Sequence, residues 1–370
     1  MSAFYDTVIL GAGPAGSMLA MQLARNGRKT LLLDLRRPEQ EHVCGGFLGP
    51  EIPAIWQANG LGERFKKLNP HPIWEALVTY GERFRLRRTF TEGPGFGIDR
   101  DEYNRELNLC AADAGAEVLL GSTCSIEKAE RGFWRLTISR QGISHEIKTK
   151  YWVKANGRRP PPKNGPPAYF SFKTLYENVR EEAVALHFVR NGHVGLNPLG
   201  RGRVTMCSYA SGDYLKRYGG DRDGLMNDFM SQNVALRESL VNAKRTGKWS
   251  ACVAEPDRHR VFFSDGVFYA GDAVSMVNPI VGGGISVAMA GGSLLAEELI
   301  QGGSEREIAR RYEKRWNAFF YRLWKRASWI GDLERSEKVT RSFFNLMNKA
   351  PFIYGFLLKR SRLPVKRVLA

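Results

Sequence analysis

Residues Tyr5 to Leu35 read YDTVILGAGPAGSMLAMQLARNGRKTLLLDL, and this stretch decides the fold class. Tyr5 to Leu10 is a short apolar run suited to a buried strand. Pro14 to Asn26 sets Ala15, Leu19, Leu23 and Ala24 at helical spacing, and Gly27 supplies the stop. Thr30 to Leu35 is a second apolar strand. Two strands joined by one helix in ~30 residues form a βαβ unit, and such a crossover requires a parallel sheet. Between the first strand and the helix lies Gly11-Ala12-Gly13-Pro14-Ala15-Gly16. Gly11 permits the tight turn, Gly13 lets the backbone approach a pyrophosphate, and Gly16 allows close helix–strand packing. Free amides and the positive dipole at the helix start then hold phosphate. Asp34 closes the second strand 23 residues after Gly11, where an acid accepts hydrogen bonds from ribose hydroxyls. That acid disfavours a 2′-phosphate, so the nucleotide is NAD-like or FAD-like.

Further along, Glu51 to Lys67 and Arg100 to Ala114 read as helical, Ala76 to Phe90 as a hairpin and Glu117 to Leu120 as a strand. Thr123 to Val153 alternates polar and apolar in three runs, the pattern of an antiparallel meander. Five prolines in Arg158–Pro167 mark a linker, followed by a strand-rich section over Ala168 to Ala210 and a helix over Asp221 to Asn242. An apolar strand returns at Gly266 to Ala270, Ile285 to Ile300 reads as a helix, and from Glu305 the chain is helical, aromatic and basic.

A second signal separates the nucleotides. Val267 to Gly292 reads VFYAGDAVSMVNPIVGGGISVAMAGG: a strand, Gly271-Asp272, a loop with Pro279, the glycines Gly282 to Gly284 and a helix. A carboxylate at a strand end and another helix start then face one crevice. Asp272 suits ribityl or ribose hydroxyls, and the Gly282–Gly284 amides suit a ring oxygen that gains charge on reduction.

With GAGPAG, Asp99-Arg100 before a helix and Gly271-Asp272 in this order, the chain resembles the FAD-dependent oxidoreductases typified by aromatic hydroxylases and geranylgeranyl reductases. The resemblance implies an α/β fold: a Rossmann-like FAD-binding domain with an inserted β-meander, a β-rich substrate domain and a helical C-terminal tail. The FAD-binding domain is expected to be discontinuous, over 1–75, 98–160 and 255–303, with the substrate domain over 76–97 and 161–254 and the tail over 304–370. It implies that Gly11, Gly13, Ala15, Gly16, Asp34 and Arg36 hold the ADP half of FAD. Arg100 and Gly157 then lie beside the cofactor, Gly271 and Asp272 meet the ribityl–pyrophosphate, and Pro279 with Gly282, Gly283 and Gly284 flanks the isoalloxazine. The family's Asp-Gly pair after the meander is replaced here by Asn156-Gly157. There is no second nucleotide motif and no CxxC pair, so NAD(P)H is expected only as a transient reductant.

Cys44-Gly45-Gly46 looks like the segment of the geranylgeranyl reductase branch that lies near the flavin, and makes Cys44 a candidate catalytic residue. His187 and His193 are candidate acid–base residues at the substrate, since histidine titrates near neutrality. No cluster has metal-ligand spacing, no GxSxG elbow marks a hydrolase, and no WxWxIP-like segment marks a halogenase. The leading expectation is an NAD(P)H-dependent monooxygenase of an apolar or phenolic small molecule, working with O2 through a flavin C4a-hydroperoxide. The alternatives are a reductase of isoprenoid or lipid-like C=C bonds and a flavin-binding interaction protein without turnover.

Composition narrows partners. The 370 residues carry 55 Lys+Arg and 38 Asp+Glu, a formal charge of +17, with 43% hydrophobic residues and five scattered cysteines. That is globular composition without a disulfide framework. From Arg306 to Ala370 there are 17 Lys/Arg and 5 Asp/Glu, so +12 of the charge lies in 65 residues. The aromatics of this tail at helical spacing are expected to cover the core with cations snorkelling outward. A peripheral membrane contact is the second reading, and nucleic acid, lacking a recognised module, is not expected as a partner. A cytoplasmic protein, membrane-associated at most at the periphery, is the expectation.

Overall fold

The computed structural model describes residues 3–130, 132–158, 169–190, 192–253, 259–334 and 336–350. Most of the proline-rich linker and the last twenty residues, Pro351 to Ala370, lie outside the described residues. In chain order the main elements are β1 (Ala3–Leu10), α1 (Pro14–Arg25), β2 (Thr30–Asp34), β3 (Glu75–Tyr80), β4 (Phe84–Thr89), α2 (Arg100–Asp113) and β5 (Glu117–Leu120). The meander β6 (Ser122–Glu130), β7 (Phe133–Arg140) and β8 (Ile143–Lys154) follows. Then come β9 (Tyr169–Glu177), β10 (Val184–Val189), β11 (Gly192–Gly200), β12 (Arg203–Ser211), β13 (Ser250–Val253) and β14 (Val267–Tyr269). The chain continues through α3 (Gly284–Gln301), α4 (Glu305–Leu333) and α5 (Glu337–Lys349).

The fold is the α/β, Rossmann-like arrangement expected from the glycine turn. One sheet runs β14-β8-β1-β2-β5, all parallel neighbours, with β7 and β6 added antiparallel beside β8. Strand β8 is long enough to do two jobs: Ile143 to Thr149 pairs with β7, while Ile147 to Lys154 pairs with β1. The meander is therefore an extension of the parallel sheet. A second sheet runs β9-β12-β11-β10-β3-β4, with β13 on the free side of β9. The β3–β4 hairpin joins it by a parallel pairing of β3 with β10. Two of the expected helical stretches are interrupted. Helices Ile52–Ala58 and Gly62–Lys67 are separated by a turn in which Gly60 takes a positive φ of 68°. Helices Arg222–Gln232 and Val234–Leu240 break at Asn233, which is extended and buried. Its side chain accepts from the Leu236 amide and donates to Thr79 and the Phe188 carbonyl, so the buried amide is satisfied by ending one helix and capping the next.

Helix α4 is explained by its apolar stripe. Ile308, Tyr312, Trp316, Phe320, Leu323 and Ala327 recur at helical spacing and are all buried. Ser304 opens it with a capping box to Glu307, and Arg311 and Arg315 reach the buried Glu298 of α3 at 2.6 and 3.0 Å. Helix α4 thus covers the core with its apolar stripe, and Arg306, Arg310, Lys314, Arg322 and Lys325 are exposed on its outer face. In α5, Phe344 sits 4.8 Å (ring centroids) from each of Tyr80, Phe84 and Phe188. No helix among the described residues is long and apolar enough to cross a membrane.

Candidate functional site

The glycine turn is built as its spacing demands. A Cβ on Gly11, whose φ is +116°, would lie 2.2 Å from the Ala155 carbonyl oxygen. A Cβ on Gly16 would lie 1.9 Å from the Gly11 carbonyl oxygen, so both glycines are required for packing. Gly13 differs: a Cβ there meets nothing within 4 Å, because the position opens on a cavity. Asp34 stands beside it at the end of β2. Its carboxylate accepts from the Ala12 amide at 2.7 Å and the Arg36 amide at 2.8 Å. The loop is therefore fixed around an acid that keeps spare acceptor capacity.

The cavity, about 770 Å³, runs from this turn to the C-terminal helices. It collects Gly11, Gly13, Ala15, Asp34, Arg36, Cys44, Arg100, Gly157, His193, Gly271, Asp272, Pro279, Gly282 and Gly284. Gly16 and Gly283 are adjacent but not on its wall: Gly16 is pressed against Gly11, and Gly283 caps α3 between two glycines that do line the cavity. Gly271, at φ +63°, would set a Cβ 2.8 Å from that of Ala15, so the two nucleotide-side motifs touch.

His187 is a correction. Val184, Ala185, Leu186 and Phe188 of β10 line the cavity, but His187 does not. Its Nδ1 meets Thr79 at 2.8 Å, and burial drives its pKa down to about 3. A histidine so placed stays neutral and cannot serve a substrate in the cavity.

Charge near the middle of the cavity comes from the expected Arg100 and Asp272 together with Arg158, which the motifs did not include. Arg158 donates to the Cys252 Sγ at 2.5 Å and to the Val253 carbonyl at 2.9 Å. Burial raises the Asp272 carboxyl above the ordinary range, and Arg158 and Arg100 oppose the shift. Arg100 is held by Asn104, whose amide also reaches His42 Nε2 at 2.9 Å; His42 Nδ1 pairs with Asp101 at 2.5 Å. Cys44, Cys207 and Cys252 all line this region; burial pushes the Cys207 thiol up to about 12. At the far end the wall is apolar: Leu186, Phe188, Ile330, Phe343, Phe344 and Met347. His193 lies near it, its ring stacked 5.4 Å from Tyr209 and its Nδ1 2.8 Å from Glu334 Oε1. Arg158 follows the Asn156-Gly157 departure directly, so its position was a usable signal. Glu334 and the aromatic wall had none, since only the folding of α4 and α5 brings them there. Among the described residues no group of three or more could hold a metal.

Residues 5–171 match the model of the FAD binding domain family. Over these residues the chain carries an FAD binding domain. It is 24% identical over 349 residues to a digeranylgeranylglycerophospholipid reductase of Methanocaldococcus jannaschii, covering 86% of this chain and 83% of the relative. A 1H-pyrrole-2-carbonyl-[peptidyl-carrier protein] chlorinase of Pseudomonas fluorescens is 24% identical, with 86% and 84% covered. Among solved structures, a flavin-dependent brominase superposes with a TM-score of 0.79 at 18% identity, covering 97% of this chain and 93% of that one. A geranylgeranyl bacteriochlorophyll reductase-like protein of Thermoplasma acidophilum superposes with a TM-score of 0.76 at 19% identity, over 100% and 96%. These structures share the fold. The open space over Gly13, the acid at the end of β2 and the second glycine run suit FAD in this cavity.

Proposed function

We propose that this FAD-dependent oxidoreductase saturates C=C bonds of an isoprenoid or other lipid-like chain, with NAD(P)H or another donor as the reductant. The observation that carries this is the continuity of the cavity. The nucleotide turn at one end and the apolar wall of Leu186, Phe188, Ile330, Phe343, Phe344 and Met347 at the other belong to one space. The curated relatives named as digeranylgeranylglycerophospholipid reductases favour the same reading over the monooxygenase expected from the sequence.

In this reading the amides of Gly11 to Gly13 and the start of α1 hold the pyrophosphate, and Asp34 takes ribose hydroxyls. Asp272 and Arg100 would stand toward the ribityl end, and Gly282 and Gly284 would flank the ring. When bound, FAD supplies a two-electron reductant. Cys44-Gly45-Gly46 runs along the cavity wall, with Gly46 at φ +74° and so close to Ile98 that a Cβ would lie 2.2 Å from its carbonyl oxygen. The apolar wall orients the chain by burial at roughly 25 cal/mol per Å² and excludes water from the reacting carbons. Exposed Trp329, Val339 and Leu346, flanked by Lys338 and Lys349, give the C-terminal helices a peripheral contact with the bilayer that holds such a substrate.

The test is an end-point assay. FAD-loaded protein, dithionite and a geranylgeranyl-chain phospholipid in detergent are incubated without O2, and the lipid is weighed by mass spectrometry. A gain of two hydrogens per reduced bond supports the reading; an unchanged lipid, with oxygen or halogen incorporation once O2 and halide are supplied, overturns it.

A further inference from the structure

His193 and Glu334 form a pair that the cofactor site does not explain. Glu334, at the end of α4, is 2% exposed, and its Oε1 lies 2.8 Å from His193 Nδ1. Its other oxygen, Oε2, is buried with no hydrogen-bond partner among the described residues. A carboxylate accepts only, so the proton of that contact belongs to Nδ1, and Nε2 is the nitrogen left for a ligand. The ring is clamped: β11 sets His193 opposite Tyr209 of β12 and Phe188 of β10. Tyr209 stacks on it, with ring centroids 5.4 Å apart, and Tyr169 backs Tyr209 at 4.6 Å. His193 lines the cavity where Phe188 begins the apolar end.

Desolvating a carboxylate against a buried imidazole is costly, and leaving one of its oxygens unpaired costs more. Its cost calls for a role other than stability. The segment that carries Glu334 is independently anchored to the cofactor side. Trp324 donates to Ser275 at 2.9 Å, and Gly331 packs so closely on Asn278 that a Cβ there would lie 1.9 Å from its amide nitrogen. The C-terminal helices thus deliver a carboxylate to a fixed point behind the histidine.

We propose that His193 is the proton donor of the cavity and that Glu334 is its positioning residue. The inference rests on the C=C reduction proposed above. Saturating one bond breaks the π bond and forms two C–H bonds. The electron pair and one hydrogen are drawn from the reduced flavin; the second hydrogen arrives as a proton from Nε2. The N–H bond breaks, imidazolium becomes imidazole, and water restores the proton. Glu334 keeps Nδ1 protonated throughout, so that Nε2 is the exchanging site.

The experiment compares FAD-loaded wild type, H193Q, E334L, E334Q and the double variant H193Q/E334L. Imidazole nitrogen NMR, with His193 assigned among the six histidines from the H193Q spectrum, reads which nitrogen carries the proton. Wild type and E334Q, whose amide oxygen still accepts, are expected to show Nδ1–H, and E334L is expected to shift the neutral proton to Nε2. An unchanged tautomer in E334L overturns the positioning claim whatever the turnover. On the geranylgeranyl lipid, kcat should fall about 100-fold in H193Q and in E334L with KM within threefold and FAD content intact. The double variant should be no slower than H193Q, because the two act as one unit. E334Q should recover part of the loss. Wild-type saturation with equal kcat in all variants overturns this inference and leaves the function standing. No saturation by wild type overturns the function and the proton-donor role with it.

Discussion

Gly13→Val separates binding from folding. A Cβ at Gly13 meets nothing within 4 Å and the residue is extended at φ −77°, so valine adds no clash to the empty protein. Its effect on stability should stay below about 1 kcal/mol. The same side chain stands where a pyrophosphate must approach the backbone. Losing two amide hydrogen bonds to a charged group, each worth about 1.5–3 kcal/mol, costs ~3–6 kcal/mol, or roughly 10²–10⁴ in Kd. Gly16→Val is the control with the opposite signature. Its Cβ would sit 1.9 Å from the Gly11 carbonyl, so the backbone must move, at a cost of about 3 kcal/mol or more. Calorimetric titration of apoprotein with FAD, beside denaturant melts, reads both quantities. A Gly13→Val protein that stays yellow through desalting and binds FAD like wild type would refute the assigned phosphate turn.

Three further outcomes are expected. Phe344→Ala removes a ring stacked between Tyr80, Phe84 and Phe188 and should cost about 3–5 kcal/mol in urea melts; an unchanged midpoint would show that α5 is not part of the core. Asp272 has a raised folded pKa, so the folded apoprotein binds its proton more tightly than the unfolded chain, and this contribution is lost as pH rises through the folded value. Asp272→Asn should therefore raise the Tm of apoprotein at pH 7 and lose most of that advantage near pH 4; a pH-independent difference would contradict the buried charge. His187, held down near 3 from an ordinary 6.5, gives the reverse sign: stability falls below pH 6.5 by roughly 1.4 kcal/mol per unit until its folded value is reached. Its ring resonances should show no titration between pH 5 and 8.

The turn proposed to hold the nucleotide was legible because its geometry is backbone geometry. Gly11, Gly13, Gly16 and Asp34 act through turn, approach and strand end, and those follow from local spacing. The same holds for Gly271-Asp272 and for Gly282 and Gly284, which reach the cavity from one strand end and one helix start. The apolar end of the cavity is set by pairings remote in sequence, which spacing does not encode. His187 and His193 looked equivalent on neighbouring strands, yet the first does not line the cavity and Glu334, 141 residues later, engaged the second. The tail's aromatic spacing announced core cover, but not that Phe343, Phe344 and Met347 would close the cavity. Asn233 broke a helix because a buried amide next to Thr79 needed partners, a requirement visible only once β3 and β10 are paired.

The central claim, one cavity that joins the FAD turn to an apolar chain site, is tested most directly by a single turnover. Reduced, FAD-loaded protein is mixed with the geranylgeranyl lipid under strict exclusion of O2, and the flavin absorbance is followed by stopped flow. Lipid-dependent reoxidation is expected, with one C=C bond saturated per flavin. Reoxidation that occurs only when O2 is admitted, with the lipid unsaturated as before, would contradict that claim.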